Sequence, residues 1–277
     1  MVFAPLVYWL GQWTSGRITD VPQGAFSVIG HLPDLRDSVM RRTTRELVAE
    51  KIAGLIVAGI VRVGDVLPSE RDLATTFQVS RETVRGGIQI LAARGVIEVS
   101  QGARTRVIST ELGPMAPGVT EIRRINEYDI ETVHAARMLV EREVVAAAAR
   151  EITQDDLNFL RRCLETQKSA ETDPVRFLIS DREFHLAIYR ACGNPALADF
   201  VSDLYTHMME IRRRAVAQEQ AVARSVADHE AILDGLTRHD EAAAVAAFDV
   251  HLDRIYQTTR HVIEGGRSPP RATGRNG

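Results

Sequence analysis

The sequence predicts a mainly α-helical protein, with an N-terminal winged helix-turn-helix followed by a C-terminal antiparallel all-α helical bundle. Residues 67–107 hold two short capped helices joined by a tight turn, then an alternating run that doubles back on a glycine. From Glu127 onward a helical period persists, broken only by caps and prolines. A length of 277 residues with 45% hydrophobic content suffices for two cores.

Residues 1–39 predict an extension with little regular structure. The apolar run from Val2 to Leu10 is far too short to span a bilayer, and no basic stretch precedes it as in a signal peptide. Pro22, Gly24, Gly30 and Pro33 interrupt any period, and Met40 stands just before the first patterned segment. No membrane association is expected.

The winged helix-turn-helix is placed at residues 40–108. Leu47, Val48, Ile52, Leu55 and Ile56 give its first helix an apolar face. In Leu67-Pro68-Ser69-Glu70-Arg71-Asp72, Ser69 can cap a second helix answered by Asp72, running to about Phe77. Gln78 and Val79 leave only a turn, and Ser80 caps a third helix whose Val84, Ile88 and Leu91 share the inward face. Glu82, Gly86 and Gln89 then centre on the opposite face with Arg85 at its edge, while Ser80, Arg81 and Thr83 occupy the exposed first turn. That turn is what a recognition helix presents to the major groove. Val96 to Val99 alternates toward Gln101-Gly102, and Arg104 to Val107 returns, as a two-stranded wing would. Residues 41–108 carry 11 Lys and Arg against 7 Asp and Glu, although the whole chain is at −3. A basic domain on an acidic protein suits a phosphate backbone.

The Leu-Pro-Ser-Glu-Arg and Val-Ser-Arg-x-x-Val-Arg runs resemble the DNA-binding domain of the GntR family of bacterial transcription regulators, from about Arg45 to Ile108. The resemblance implies operator contacts by Arg71, Arg81 and Arg85, with Ser80, Thr83 and the wing-tip Gln101 and Gly102 at further contact positions. Gly86-Gly87 departs from the family pattern and predicts a softer recognition helix, each glycine costing about 1 kcal/mol relative to alanine. The wing also lacks the second glycine common in that family.

Residues 109–126, rich in Gly and Pro, read as a linker, and residues 265–277 as a disordered tail. Between them, residues 127–264 predict six helices near 127–150, 153–170, 174–192, 195–216, 218–238 and 241–264. Asp173-Pro174 and Asn194-Pro195 are cap-then-proline starts, Thr153 and Asp240 cap two others, and Gly193 is a stop. Short connections make this an antiparallel bundle, expected to bind an effector and to dimerise. Cys163 and Cys192 lack CxxC spacing and suggest reduced, packed thiols in a cytoplasmic protein.

Asp181 and His185 lie four residues apart, so both project from one helix face about 6 Å apart along the axis. His229 and His251 each stand 11 residues from Asp240, which puts their imidazoles level across an antiparallel hairpin. Three histidines and one carboxylate can therefore converge on a divalent ion: zinc first, with nickel or manganese as alternatives. His207 on the intervening helix is an outside candidate.

The region also resembles FadR-type C-terminal effector (FCD) domains, whose metal-binding members carry an Asp-x-x-x-His pair and two later histidines. That likeness implies Asp181, His185, His229 and His251 as ligands and Arg137 as an effector-facing residue. From the spacing alone, Arg137 could instead pair with Glu141 at i, i+4.

A metal beside an arginine suits a small carboxylate effector. The expectation is a homodimeric repressor on a pseudo-palindromic double-stranded operator, released by its effector rather than acting as an enzyme. Two alternatives stand beside it. One is a metal-free regulator answering to fatty acids or acyl-coenzyme A, with Phe200, Leu204, Met208 and Met209 lining a greasy pocket. The other is a metal-dependent hydrolase, with Glu230 the nearest acid-base group in sequence.

Overall fold

In the computed structural model, residues 43–99, 105–112 and 125–265 are described. Their element order is α1 Thr44–Val57, α2 Glu70–Phe77, α3 Arg81–Ala93, β1 Ile97–Glu98, β2 Arg106–Val107, then seven helices from α4 to α10. Gln101, Gly102 and the expected N-terminal extension lie outside the described residues, as does most of the expected linker and tail.

Each winged-helix element starts where a side chain relieves the free amides of its first turn. Thr43 and Glu46 form a reciprocal capping box on α1. Ser69 accepts from the Asp72 N–H on α2, and Ser80 accepts from the Thr83 N–H on α3. Gln78 makes the turn between α2 and α3 in the left-handed region, φ 54°. Val84, Ile88 and Leu91 are buried as expected, whereas Leu47 is 46% exposed and α1 instead buries Val48, Ala49, Ile52, Ala53, Leu55 and Ile56.

Gly86 was expected on the outward face but is buried, because α1 crosses α3 at the glycine pair. A Cβ on Gly86 would stand 2.4 Å from Arg45 Cδ, and one on Gly87 would stand 2.7 Å from Val48 Cγ1 and 3.1 Å from the Ala49 nitrogen. Gly87 therefore serves close helix packing, while Gly86 is covered by the Arg45 side chain. In the wing, β1 and β2 are antiparallel, pairing Ile97 with Val107 and Glu98 with Arg106, and Val66 bridges to Arg106 from the loop before α2.

The bundle comprises α4 Ile130–Glu151, α5 Gln154–Lys168, α6 Pro174–Ala191, α7 Pro195–Tyr205, α8 Met209–Val216, α9 Ala221–Thr237 and α10 Glu241–Gly265. Asp129, Thr153, Asp173 and Asn194 cap α4 to α7 through their side chains, and Asp240 accepts from the Ala243 N–H on α10. The single helix expected over 195–216 is two helices, α7 and α8. The Met208 N–H donates to Asn126 Oδ1 at 2.7 Å, His207 Nε2 meets the Tyr128 carbonyl at 3.1 Å, and Met208 sits at φ 50°. Asn126 thus takes up the Met208 amide that a continuous helix would have engaged, and the Tyr128 carbonyl anchors the His207 side chain beside it.

Ion pairs tie the winged helix to the bundle: Lys51 to Glu183 at 2.6 Å, Asp72 to Arg176 at 3.2 Å and Arg62 to Glu210 at 3.3 Å. Among the described residues no helix is long and apolar enough to cross a membrane.

Candidate metal centre and nucleic-acid interface

The first turns of α2 and α3 carry the candidate DNA contacts, and Glu70 joins them electrostatically. Arg71 and Arg81 are exposed. Arg85 forks onto Glu70 through Nε at 3.1 Å and Nη2 at 2.8 Å, and its hydrogen bond holds the Glu70 carboxyl below its ordinary value. Ser80 and Thr83 hydroxyls lie 2.8 Å apart, so both serve the cap in the free protein. The interface therefore presents Arg71 and Arg81 to solvent and keeps Arg85 paired at the surface, where an ion pair can exchange for a phosphate.

In the bundle, α6 supplies Asp181 and His185, α9 His229 and α10 His251. All four are buried and their donor atoms lie within 4.8 Å of one another. The close approach of α9 and α10 that this needs is possible because Gly235 has no Cβ, which would stand 2.6 Å from the Ala244 nitrogen. The Nε2 atoms of His185 and His251 are 3.1 Å apart, and those of His229 and His251 3.3 Å. Asp181 Oδ1 completes the group at 3.4 Å from His229 Nε2 and 3.8 Å from His185 Nε2.

Zn–N bonds of about 2.0–2.1 Å imply N···N separations of roughly 2.9–3.4 Å in octahedral or tetrahedral geometry. The donor set fits a divalent ion on that ground. Three converging ring nitrogens also cannot all be satisfied by protons on one another, whereas a cation accepts every lone pair. Burial, then the neighbouring histidines, pushes His185 and His229 well below the usual imidazole value, which keeps them neutral as ligands must be.

The outward nitrogens are positioned too. His229 Nδ1 meets Gln167 Oε1 at 2.7 Å, His185 Nδ1 lies 3.4 Å from the Tyr189 hydroxyl, and His251 Nδ1 faces Asp228 Oδ2 at 3.5 Å. The first two contacts turn the Nε2 atoms of His229 and His185 inward, whereas His251 Nδ1 makes no hydrogen bond and has Asp228 as a charged neighbour. Tyr189 in turn donates to Glu141 Oε2 at 2.6 Å, and Glu141 pairs with Arg137 at 2.5 Å. Arg137 thus makes the i, i+4 pair and also lines a cavity with His207, Met208 and Tyr256.

A second cavity opens directly on Asp181 and His251, and the arginine it shares with the Arg137 cavity is Arg212. Arg212 Nη1 donates to the Tyr205 carbonyl at 2.9 Å, Nη2 approaches Asp181 Oδ2 at 3.5 Å, and Tyr205 donates its hydroxyl to the same oxygen at 2.5 Å. Arg212, Tyr205, Tyr189, Gln167 and Asp228 are the residues that sequence reasoning missed. They follow no ligand spacing, and only the run Arg212-Arg213-Arg214 could have drawn attention.

His207 stays outside the four-residue group. Of the four expected greasy residues only Met208 lines either cavity, while Phe200 is 50% exposed. Glu230 pairs with Lys168 at 3.0 Å on the surface rather than facing the cluster.

The family described as bacterial regulatory proteins, gntR family, matches residues 44–107, and the FCD domain matches residues 132–254. The HTH-type transcriptional repressor NanR of Cronobacter sakazakii is 28% identical over 243 residues, covering 84% of this chain and 92% of its own. The HTH-type transcriptional regulator LutR of Bacillus subtilis is 29% identical over 206 residues, 73% of this chain and 94% of its own. The solved structure of Streptococcus agalactiae GntR has 25% identity over 77% of this chain and 99% of its own, at a TM-score of 0.39.

Proposed function

We propose that this chain, which joins a gntR-family DNA-binding domain to an FCD domain, is a transcriptional repressor whose operator binding answers to a small carboxylate. Asp181, His185, His229 and His251 would hold a divalent metal, zinc first among the candidates, beside the cavity proposed to take the effector. One observation carries this reading: three imidazole nitrogens and a carboxylate oxygen converge beside an arginine-lined cavity, in a chain that also carries a recognition helix.

When bound, the metal supplies Lewis acidity toward an effector carboxylate oxygen. Every other step belongs to the chain. Gln167 and Tyr189 hold His229 and His185 in orientation, Asp228 stands beside His251, and Tyr205 holds Asp181. Arg212 pairs with the remaining negative charge of the effector and Arg137 lies in the adjoining cavity. In the winged helix, Arg71 and Arg81 reach the operator first and Arg85 leaves Glu70 for it. A cytoplasmic homodimer formed through the bundle places two such helices on a pseudo-palindromic site.

Metal analysis and native mass spectrometry on the wild type and on His229→Ala with His251→Ala test the centre. The wild type carries a metal ion and the double variant does not. Full occupancy in the double variant overturns the ligand assignment.

A further inference from the structure

Helix α8 has two faces with different tasks. It starts at a left-handed residue other than glycine, Met208 at φ 50°, and stops after two turns at Ala217, with Gln220 at φ 58° opening α9 three residues on. On its inner face Arg212 is 5% exposed, reaches Asp181 and stacks over the Tyr205 ring at 4.6 Å. The next residue points about 100° away around the helix. Arg213 accordingly leaves the bundle and forks onto both carboxylate oxygens of Asp65, with a further hydrogen bond at 3.2 Å to the Ile60 carbonyl.

Asp65 belongs to the loop that carries the wing. Its Oδ2 accepts from the Arg62 N–H at 2.7 Å, its carbonyl accepts from the Val107 N–H at 3.0 Å, and the Gly64 N–H donates to the Val107 carbonyl at 2.8 Å. A chain of direct contacts thus runs from the ligand Asp181 through Arg212 and Arg213 to Asp65 and wing strand β2. Although burial alone would raise it, the hydrogen bond from Arg213 and that from the Arg62 amide keep the Asp65 carboxyl below its ordinary value, so the fork stays ionic.

We propose that α8 relays the state of the metal and effector site to the winged helix, with Arg212 sensing the site and Arg213 holding the loop that carries the wing. This rests on the functional reading above. Helix α6 also crosses the interface, through Glu183 to Lys51 and Arg176 to Asp72, but it is an 18-residue helix buried along most of its length. It acts as the fixed mount, and α8 as the part that moves.

The test uses the full chain with zinc ion as the probe and hydrogen exchange of the amides of residues 60–67 as the readout. Engaging Asp181 fixes Arg212, so zinc slows exchange there at least twofold in the wild type. In Arg213→Ala zinc binds at the same stoichiometry but exchange no longer responds, whereas Lys51→Ala, which removes a pair from the fixed helix, keeps the response. Should Arg213→Ala fail to fold, Asp65→Asn removes the charge with little change of shape and carries the same expectation. An Arg213→Ala protein that responds like the wild type overturns the relay, as does loss of the response in Lys51→Ala. A wild type that takes up no zinc overturns the metal reading and the relay with it, whereas one that takes up zinc without slower exchange overturns the relay alone.

Discussion

Arg81 stands clear in solvent while Arg85, one helical turn on, is forked onto Glu70, and the two should answer differently to mutation. Arg81→Ala loses about tenfold or more in operator retention and lowers the salt slope by about 1, measured by DNA binding across salt concentrations, with metal content unchanged. Glu70→Gln removes the forked partner of Arg85, leaving only the looser approach to Glu82 at 3.6 Å, and takes away a negative charge beside Arg71, so retention of non-specific DNA rises in the same assay. The motif made these arginines legible in sequence, but not the restraint on Arg85, since its partner lies 15 residues away. Burial pushes the Cys163 thiol up to about 12, in keeping with a packed, unreactive cysteine.

Helix α3 shows why propensity alone misleads at the scale of an element. Helix propensity says that Gly86→Ala and Gly87→Ala should each stabilise by about 1 kcal/mol. At Gly86 the atoms nearest the added methyl all belong to the flexible Arg45 side chain, which can swing aside, so that gain is largely kept. At Gly87 it meets Val48 and the α1 backbone, so the variant is destabilised by about 1–3 kcal/mol, as overpacked cores are. Urea unfolding of the two variants separates them by sign. Gly235→Ala faces backbone at 2.6 Å and should weaken zinc binding by spreading the hairpin that holds His229 and His251. Helix starts were legible because a cap satisfies amides within three residues. The break between α7 and α8 was not, because it is set by Asn126 and Tyr128, some 80 residues upstream.

For the whole molecule, the buried histidines couple stability to pH. His185 and His229 lie well below their ordinary value of 6.5 in the fold, so below about pH 6.5 the unfolded chain takes up protons that the folded chain refuses. The metal-free protein is therefore most stable above that pH and loses stability as pH falls through it, visible as a drop in Tm between pH 7.5 and 5.5 in the presence of chelator. Zinc should raise Tm more at pH 7.5 than at 5.5, since ligation needs neutral imidazoles.

The sequence by itself determined the class of protein, the two kinds of element, most helix starts and the convergence of Asp181, His185, His229 and His251. Each of those is local or follows from helical period and hairpin symmetry, which a linear pattern records. Only the tertiary structure decided that Gly87 is a packing surface, that one expected helix is two, and that Arg212 rather than Arg137 lines the cavity opening on Asp181. It also decided that α8 touches Asp181 of the buried cluster on one side and the winged helix on the other. These depend on which distant groups a segment meets, and close packing sets such encounters through shape and unsatisfied hydrogen bonds, neither of which is written in residue spacing.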